Sequence, residues 1–137
     1  MKFFFDTSIS PRLVRALHTI VELQGNELVC LKDRYTEQDV PDTKWIKDLG
    51  IEGDWIIISA DPRISRNKAE RAAWKESHLT AFFFSDGWAS QHINDQAADL
   101  LGKWRDIVRN AKECEEGSGF LIRKSKEMEK YFHNACY

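Results

Sequence analysis

The stretch Lys2-Phe-Phe-Phe5-Asp6-Thr-Ser-Ile-Ser10-Pro11, followed by Arg-Leu-Val-Arg-Ala-Leu17, passes from a strand to a helix through one polar turn. Three consecutive phenylalanines without polar alternation suit a strand covered on both faces. Ser10 can cap a helix whose first position is Pro11, where the missing N–H costs nothing. Leu13, Ala16, Leu17, Ile20 and Val21 then form one apolar stripe.

The same alternation recurs along the chain. Glu27-Leu-Val-Cys-Leu31, Trp55-Ile-Ile-Ile58 and Thr80-Ala-Phe-Phe-Phe84 read as further buried strands, and Gly119-Phe-Leu-Ile122 as a fifth, weaker one. Between them the spacing predicts a short helix after Asp42 that stops at Gly50, a basic helix from Asn67 to about Ser77, and a long one from about Ser90 to Lys112. A final helix is expected from near Ser125, carrying Met128, Tyr131 and Phe132. Strands that alternate with helices imply βαβ units. The expected fold is therefore α/β: a three-layer α/β/α sandwich around a mostly parallel sheet of four to five strands.

Composition narrows the function. The 137 residues carry 20 Lys and Arg against 22 Asp and Glu, a formal charge of −2, so no global positive field announces a nucleic-acid partner. A local basic patch is still compatible with that sum. Cys30, Cys114 and Cys136 have no metal-ligand spacing, and their odd number argues against a disulfide framework. A reducing, cytoplasmic compartment follows as the expectation. Neither a secretory leader nor a bilayer-spanning apolar stretch is expected. The four histidines are scattered, and no phosphate-cradling glycine loop occurs. Trp88 is the one aromatic near a strand end that could stack on a base.

The chemistry lies in three aspartates. Ligands of open parallel sheets bind beyond the carboxyl ends of the strands. Asp6 and Asp61 each follow a strand at that edge, and Asp42 opens the helix before the strand that Asp61 ends. Taken singly each has a plainer reading, as a turn former or helix cap. Together they repel one another unless a hard divalent cation neutralises them. Mg²⁺ or Mn²⁺ would suit oxygen ligands and would engage phosphate oxygens. Arg63, Arg66, Lys68, Arg71 and Lys75 follow Asp61 closely, and a basic helix beside an acidic site suits a phosphate backbone. Ser8 is a further candidate for phosphate or for a metal's water.

Phe5-Asp6-Thr-Ser-Ile-Ser-Pro11, Pro41-Asp42-Thr-Lys-Trp45 and Trp55-Ile-Ile-Ile-Ser-Ala-Asp61-Pro-Arg-Ile64 together resemble the compact PIN-like domains grouped with VapC-type toxins. The resemblance covers roughly residues 2–90. It implies one PIN-like, Rossmann-like domain over 1–137, with its core at 2–90 and the long helix and C-terminal segment beyond. It also implies a Mg²⁺- or Mn²⁺-dependent endoribonuclease, the toxin of a type II toxin–antitoxin pair, with Asp6, Asp42 and Asp61 as metal-holding catalytic residues. The implied partners are RNA and a cognate antitoxin, with no membrane; an edge strand and the long amphipathic helix would permit a homodimer.

The chain departs from the family's pattern in one respect: the usual fourth acid, on an inserted helical region after the first strand, has no counterpart. Asp86 is the candidate replacement, with Glu37 and Asp39 behind it. The alternative is a catalytically degenerate PIN-like module that binds RNA or protein. A phosphatase of the haloacid type would want a second Asp two residues after the first, where Ser8 stands.

Overall fold

A computed structural model describes residues 1–62, 67–85, 87–123 and, by their backbone, 129–132. Its elements run β1 (Lys2–Phe5), α1 (Pro11–Val21), β2 (Glu27–Cys30), α2 (Leu31–Arg34), α3 (Asp42–Glu52), β3 (Trp55–Ser59), α4 (Lys68–Ser77), β4 (Thr80–Phe84), α5 (Ile93–Glu113), β5 (Gly119–Ile122) and β6 (Glu129–Phe132). The six strands form one sheet in the order β2-β1-β3-β4-β5-β6. The first five are parallel, and β6 adds to β5 antiparallel.

The continuous apolar runs are buried on both faces because successive side chains point to opposite sides. Phe3, Phe5, Ile56, Ile58, Phe82 and Phe84 face a core closed by α1 and α5. Phe4, Ile57, Ala81 and Phe83 face a second core, closed by α3 and α4. The layers are thus helix, sheet, helix, as expected. All five tryptophans are consumed in this packing. Trp45 lies edge-on to Trp74 and beside Phe4, while Trp104 packs on Phe3 with ring centroids 4.6 Å apart. Trp88 is 3% exposed and stacks on Phe84 at 4.3 Å, so the expectation of a base-stacking platform there is corrected.

Three further expectations change. Within α1 the buried stripe is Leu13, Val14, Leu17 and Val21, while Ala16 and Ile20 face outward. Gly50 does not stop α3, which continues to Glu52 with Gly53 beyond it at φ 75°. A Cβ on Gly50 would stand 2.8 Å from Ser77 Cβ, so glycine here lets α3 and α4 touch. The final helix is replaced over Glu129–Phe132 by β6, while Ser125 and Met128 lie outside the described residues. Bonding to β5 overrides the local helical spacing there.

The strand order creates the feature that positions the site. From β1 the chain crosses to β2 on one side through α1. From β3 it crosses to β4 on the other side through α4, which covers the opposite face. The carboxyl ends of β1 and β3 therefore flank a topological switch point, where the flanking loops diverge and leave a crevice.

Candidate metal centre at the sheet's carboxyl edge

Asp6 continues the β1 ladder by one residue, donating its N–H to Ile58 O at 3.3 Å. Its side chain is 6% exposed. Oδ1 accepts the Ser8 N–H at 3.0 Å and also the Ser8 hydroxyl, and Oδ2 accepts the Ser59 hydroxyl at 2.6 Å. Burial pushes the Asp6 carboxyl up to about 6; the hydroxyl bonds from Ser59 and Ser8 pull it down, and the charge of Asp42 adds to the rise. At neutral pH Asp6 is still largely ionised.

Asp42 arrives from the other layer. The N-cap of α3 is Pro41, and Asp42 is its first helical residue. Its side chain does not cap the helix: Oδ1 accepts the Trp45 indole N–H at 3.0 Å. Trp45 itself is fully buried against Phe4 and Trp74 and so fixes the carboxylate in place. Partial burial raises the Asp42 carboxyl, the Trp45 bond lowers it, and the charge of Asp61 raises it again. Asp61 follows β3 after Ala60; its N–H reaches Ser59 Oγ at 3.0 Å.

A fourth acid joins from α4. Glu70, in the first turn of that helix, is raised by burial and then by the charges of Asp42 and Asp61. Asp39, Asp42, Asn67 and Glu70 line one open depression of about 530 Å³. Glu70 reads in the sequence as a lone negative charge in a basic run. Only the side-by-side docking of α3 and α4 turns it toward Asp42.

The remaining predicted residues divide. Ser8 is committed to Asp6 and accepts the Ala60 N–H at 2.8 Å. Lys68, Arg71 and Lys75 project from α4 with exposed side chains. Glu37 lines a separate cavity with Thr7 and Tyr35. Arg63, Arg66 and Asp86 lie outside the described residues. Ser59 carries no signal in the sequence beyond being the polar last residue of an apolar strand.

Among the described residues no three His, Cys, Asp or Glu side chains converge closely enough to hold a bare ion between them. The donor set still fits a hydrated hard cation. It is all oxygen, the charge of Asp42 raises Asp6 while that of Asp61 raises Asp42, and no described Lys or Arg pairs with Asp6 or Asp42. Mg²⁺ characteristically keeps several waters and uses only one or two carboxylates. No described helix is long and apolar enough to cross a membrane.

A family model described as a PIN like domain matches residues 1–86. That span runs from β1 through β4 and contains Asp6, Asp42, Asp61 and Glu70. Searches of curated proteins and of solved structures returned no match.

Proposed function

The chain belongs to the PIN-like domain family, and from that premise we propose that it is a metal-dependent endoribonuclease, the VapC-like toxin of a type II toxin–antitoxin pair. The observation that carries the proposal is the placement of Asp6 and Asp61 on either side of the switch point, with the charge of Asp42 acting on Asp6. Asp6, Asp42 and Asp61, joined by Glu70, would hold Mg²⁺ or Mn²⁺. The bound cation would supply a nucleophile from water at neutral pH and offset the charge that develops on the phosphoryl oxygens.

The chain's own groups do the rest. Asp6, buried and bonded by Ser8 and Ser59, and Asp42, bonded by Trp45, hold their orientation without waiting for substrate, which lowers the cost of assembling the site. The first turns of α3 and α4 bring their N-terminal dipoles to Asp42 and Glu70, which eases the crowding of negative charge. Lys68 on α4, with Arg63 and Arg66 before it, would grip phosphates flanking the scissile one. An RNA substrate and a protein antitoxin are the partners this reading requires, in the cytoplasm.

Cleavage of messenger and structured RNA with added Mn²⁺ tests the proposal. Wild-type protein should cut and Asp6→Asn, matched for folding, should not; equal behaviour of the two sinks the catalytic assignment. A second reading, a degenerate module that binds RNA or protein without cutting, is favoured by the lack of three convergent acids among the described residues. Calorimetric titration with Mn²⁺ separates the two, because carboxylate-dependent binding counts against degeneracy.

A further inference from the structure

The hydrogen bonds of Asp6 have a direction that can be worked out atom by atom. Ser8 Oγ accepts the Ala60 N–H at 2.8 Å, and Ser59 Oγ accepts the Asp61 N–H at 3.0 Å. A backbone N–H can only donate, so each hydroxyl oxygen is fixed as acceptor on that side. Each hydroxyl proton then has Asp6 as its nearest acceptor: Ser8 on Oδ1, Ser59 on Oδ2. The two hydroxyl oxygens are themselves 3.4 Å apart, a longer and poorer alternative.

A carboxylate has about four acceptor positions, two on each oxygen. Oδ1 takes both the Ser8 N–H and the Ser8 hydroxyl, which fills it. Oδ2 takes Ser59 alone. Within the described chain Asp6 therefore has one further acceptor position, and it is on Oδ2. Ser59 Oγ is also the atom that joins two acids of the edge, because it bonds the Asp6 side chain and the Asp61 backbone together. Ser59 has no exposed surface, so water does not compete for these bonds.

We infer that Ser8 and Ser59 are positioning residues: they clamp Asp6 so that it meets a hard cation through Oδ2 alone. The inference rests on the metal-dependent reading above and adds to it the residues that set the ligand's orientation. It also gives Ser8 a role different from phosphate binding. Partners that orient a metal ligand typically change affinity by about 10–100-fold when removed.

The test is calorimetric titration of the metal-free protein with Mn²⁺, run well below the melting midpoint of each variant. Ser59→Ala and Ser8→Ala should each weaken Mn²⁺ binding by about 10-fold or more, and Ser8→Thr, which keeps the hydroxyl, should restore it. In the metal-free wild type, NMR should show two slowly exchanging hydroxyl protons, one of which each alanine variant loses. A merely structural serine would lower the melting midpoint and leave Mn²⁺ affinity alone. If both alanine variants fold and bind Mn²⁺ like wild type while Asp6→Asn does not bind, the clamp is refuted and the metal site stands. If wild type fails to bind Mn²⁺, or Asp6→Asn binds it equally well, the metal reading and the clamp fall together.

Discussion

The two ends of the same parallel strands carry similar raw materials and do different things with them. At the amino end, Asp54, Glu76 and Glu116 surround a depression of about 500 Å³. At the carboxyl end, Asp42 and Glu70 line one of about 530 Å³, next to Asp6 and Asp61. The amino-end acids are exposed, and Asp54 sits in a turn with φ 63°. At the carboxyl end Asp6 is buried in the strand ladder, and the charges of Asp42 and Asp61 raise neighbouring carboxyls: Asp42 raises Asp6, Asp61 raises Asp42, and both raise Glu70. A hollow with acidic side chains is thus not what distinguishes a candidate metal centre. Burial of Asp6 at the switch point, with Asp6 held by Ser8 and Ser59 and Asp42 held by the Trp45 indole, is.

The contrast breaks most sharply under substitution of one acid from each end. Asp6→Ala should lower RNA cleavage by at least about 10²-fold, the scale of losing a preorganised electrostatic group. Asp54→Asn should change it less than twofold. A steady-state cleavage assay on both variants checks this; an equal loss in the two would erase the distinction between the ends.

Stability should move the opposite way. An Asp raised from its ordinary 3.8 to about 6 binds its proton more tightly in the folded state than in the unfolded one. Between those values the folded chain holds more protons, so stability falls as pH rises and the loss is complete above about 6. The cost is on the order of 3 kcal/mol, and Asp42 and Glu70 act in the same direction. Urea unfolding of metal-free protein should show stability declining from about pH 4 to 7. Asp6→Asn, which has no carboxyl to titrate at this position, should flatten that profile. A profile that rises with pH would contradict the burial argument.

A change near the amino end should cost stability without touching the metal. Gly50→Ala places a Cβ 2.8 Å from Ser77 Cβ and 2.9 Å from its Cα, and backbone cannot move aside cheaply. About 1–3 kcal/mol of destabilisation is expected, as for other overpacked contacts, measurable as a lower urea midpoint. Mn²⁺ affinity at 25 °C should stay within about threefold, a shift well under one decade. The smallest effect belongs to the exposed Lys68. Lys68→Ala should weaken RNA binding uniformly across sequences and reduce the salt slope by about 1.

The sequence displayed the strands most clearly, because a strand buried on both faces is a short unbroken apolar run. Lys2–Phe5, Thr80–Phe84 and Gly119–Ile122 have in the structure the bounds their apolar runs suggest. What depended on partners was less legible. Gly50 looks like a helix stop and is a contact point with Ser77. Glu129–Phe132 has helical spacing nearby but bonds to β5. Trp88 looks like a surface aromatic and is stacked under Phe84. The edge followed the same rule. Asp6 and Asp61 are visible because each follows a buried strand. Glu70 and Ser59 are not, because their roles depend on helix docking and on the register that sets Phe5 beside Ile58.

On the proposed reading a hard cation binds at the carboxyl edge between β1 and β3. Substoichiometric Mn²⁺ added to ¹⁵N-labelled protein tests it directly, through paramagnetic broadening of backbone amides. Broadening should be strongest at Asp6, Ser8, Ala60 and Asp61, weakest at Asp54 and His78, and absent throughout in Asp6→Asn. Broadening centred on Asp54 and Glu116, or unchanged by Asp6→Asn, would rule out a metal centre built on Asp6.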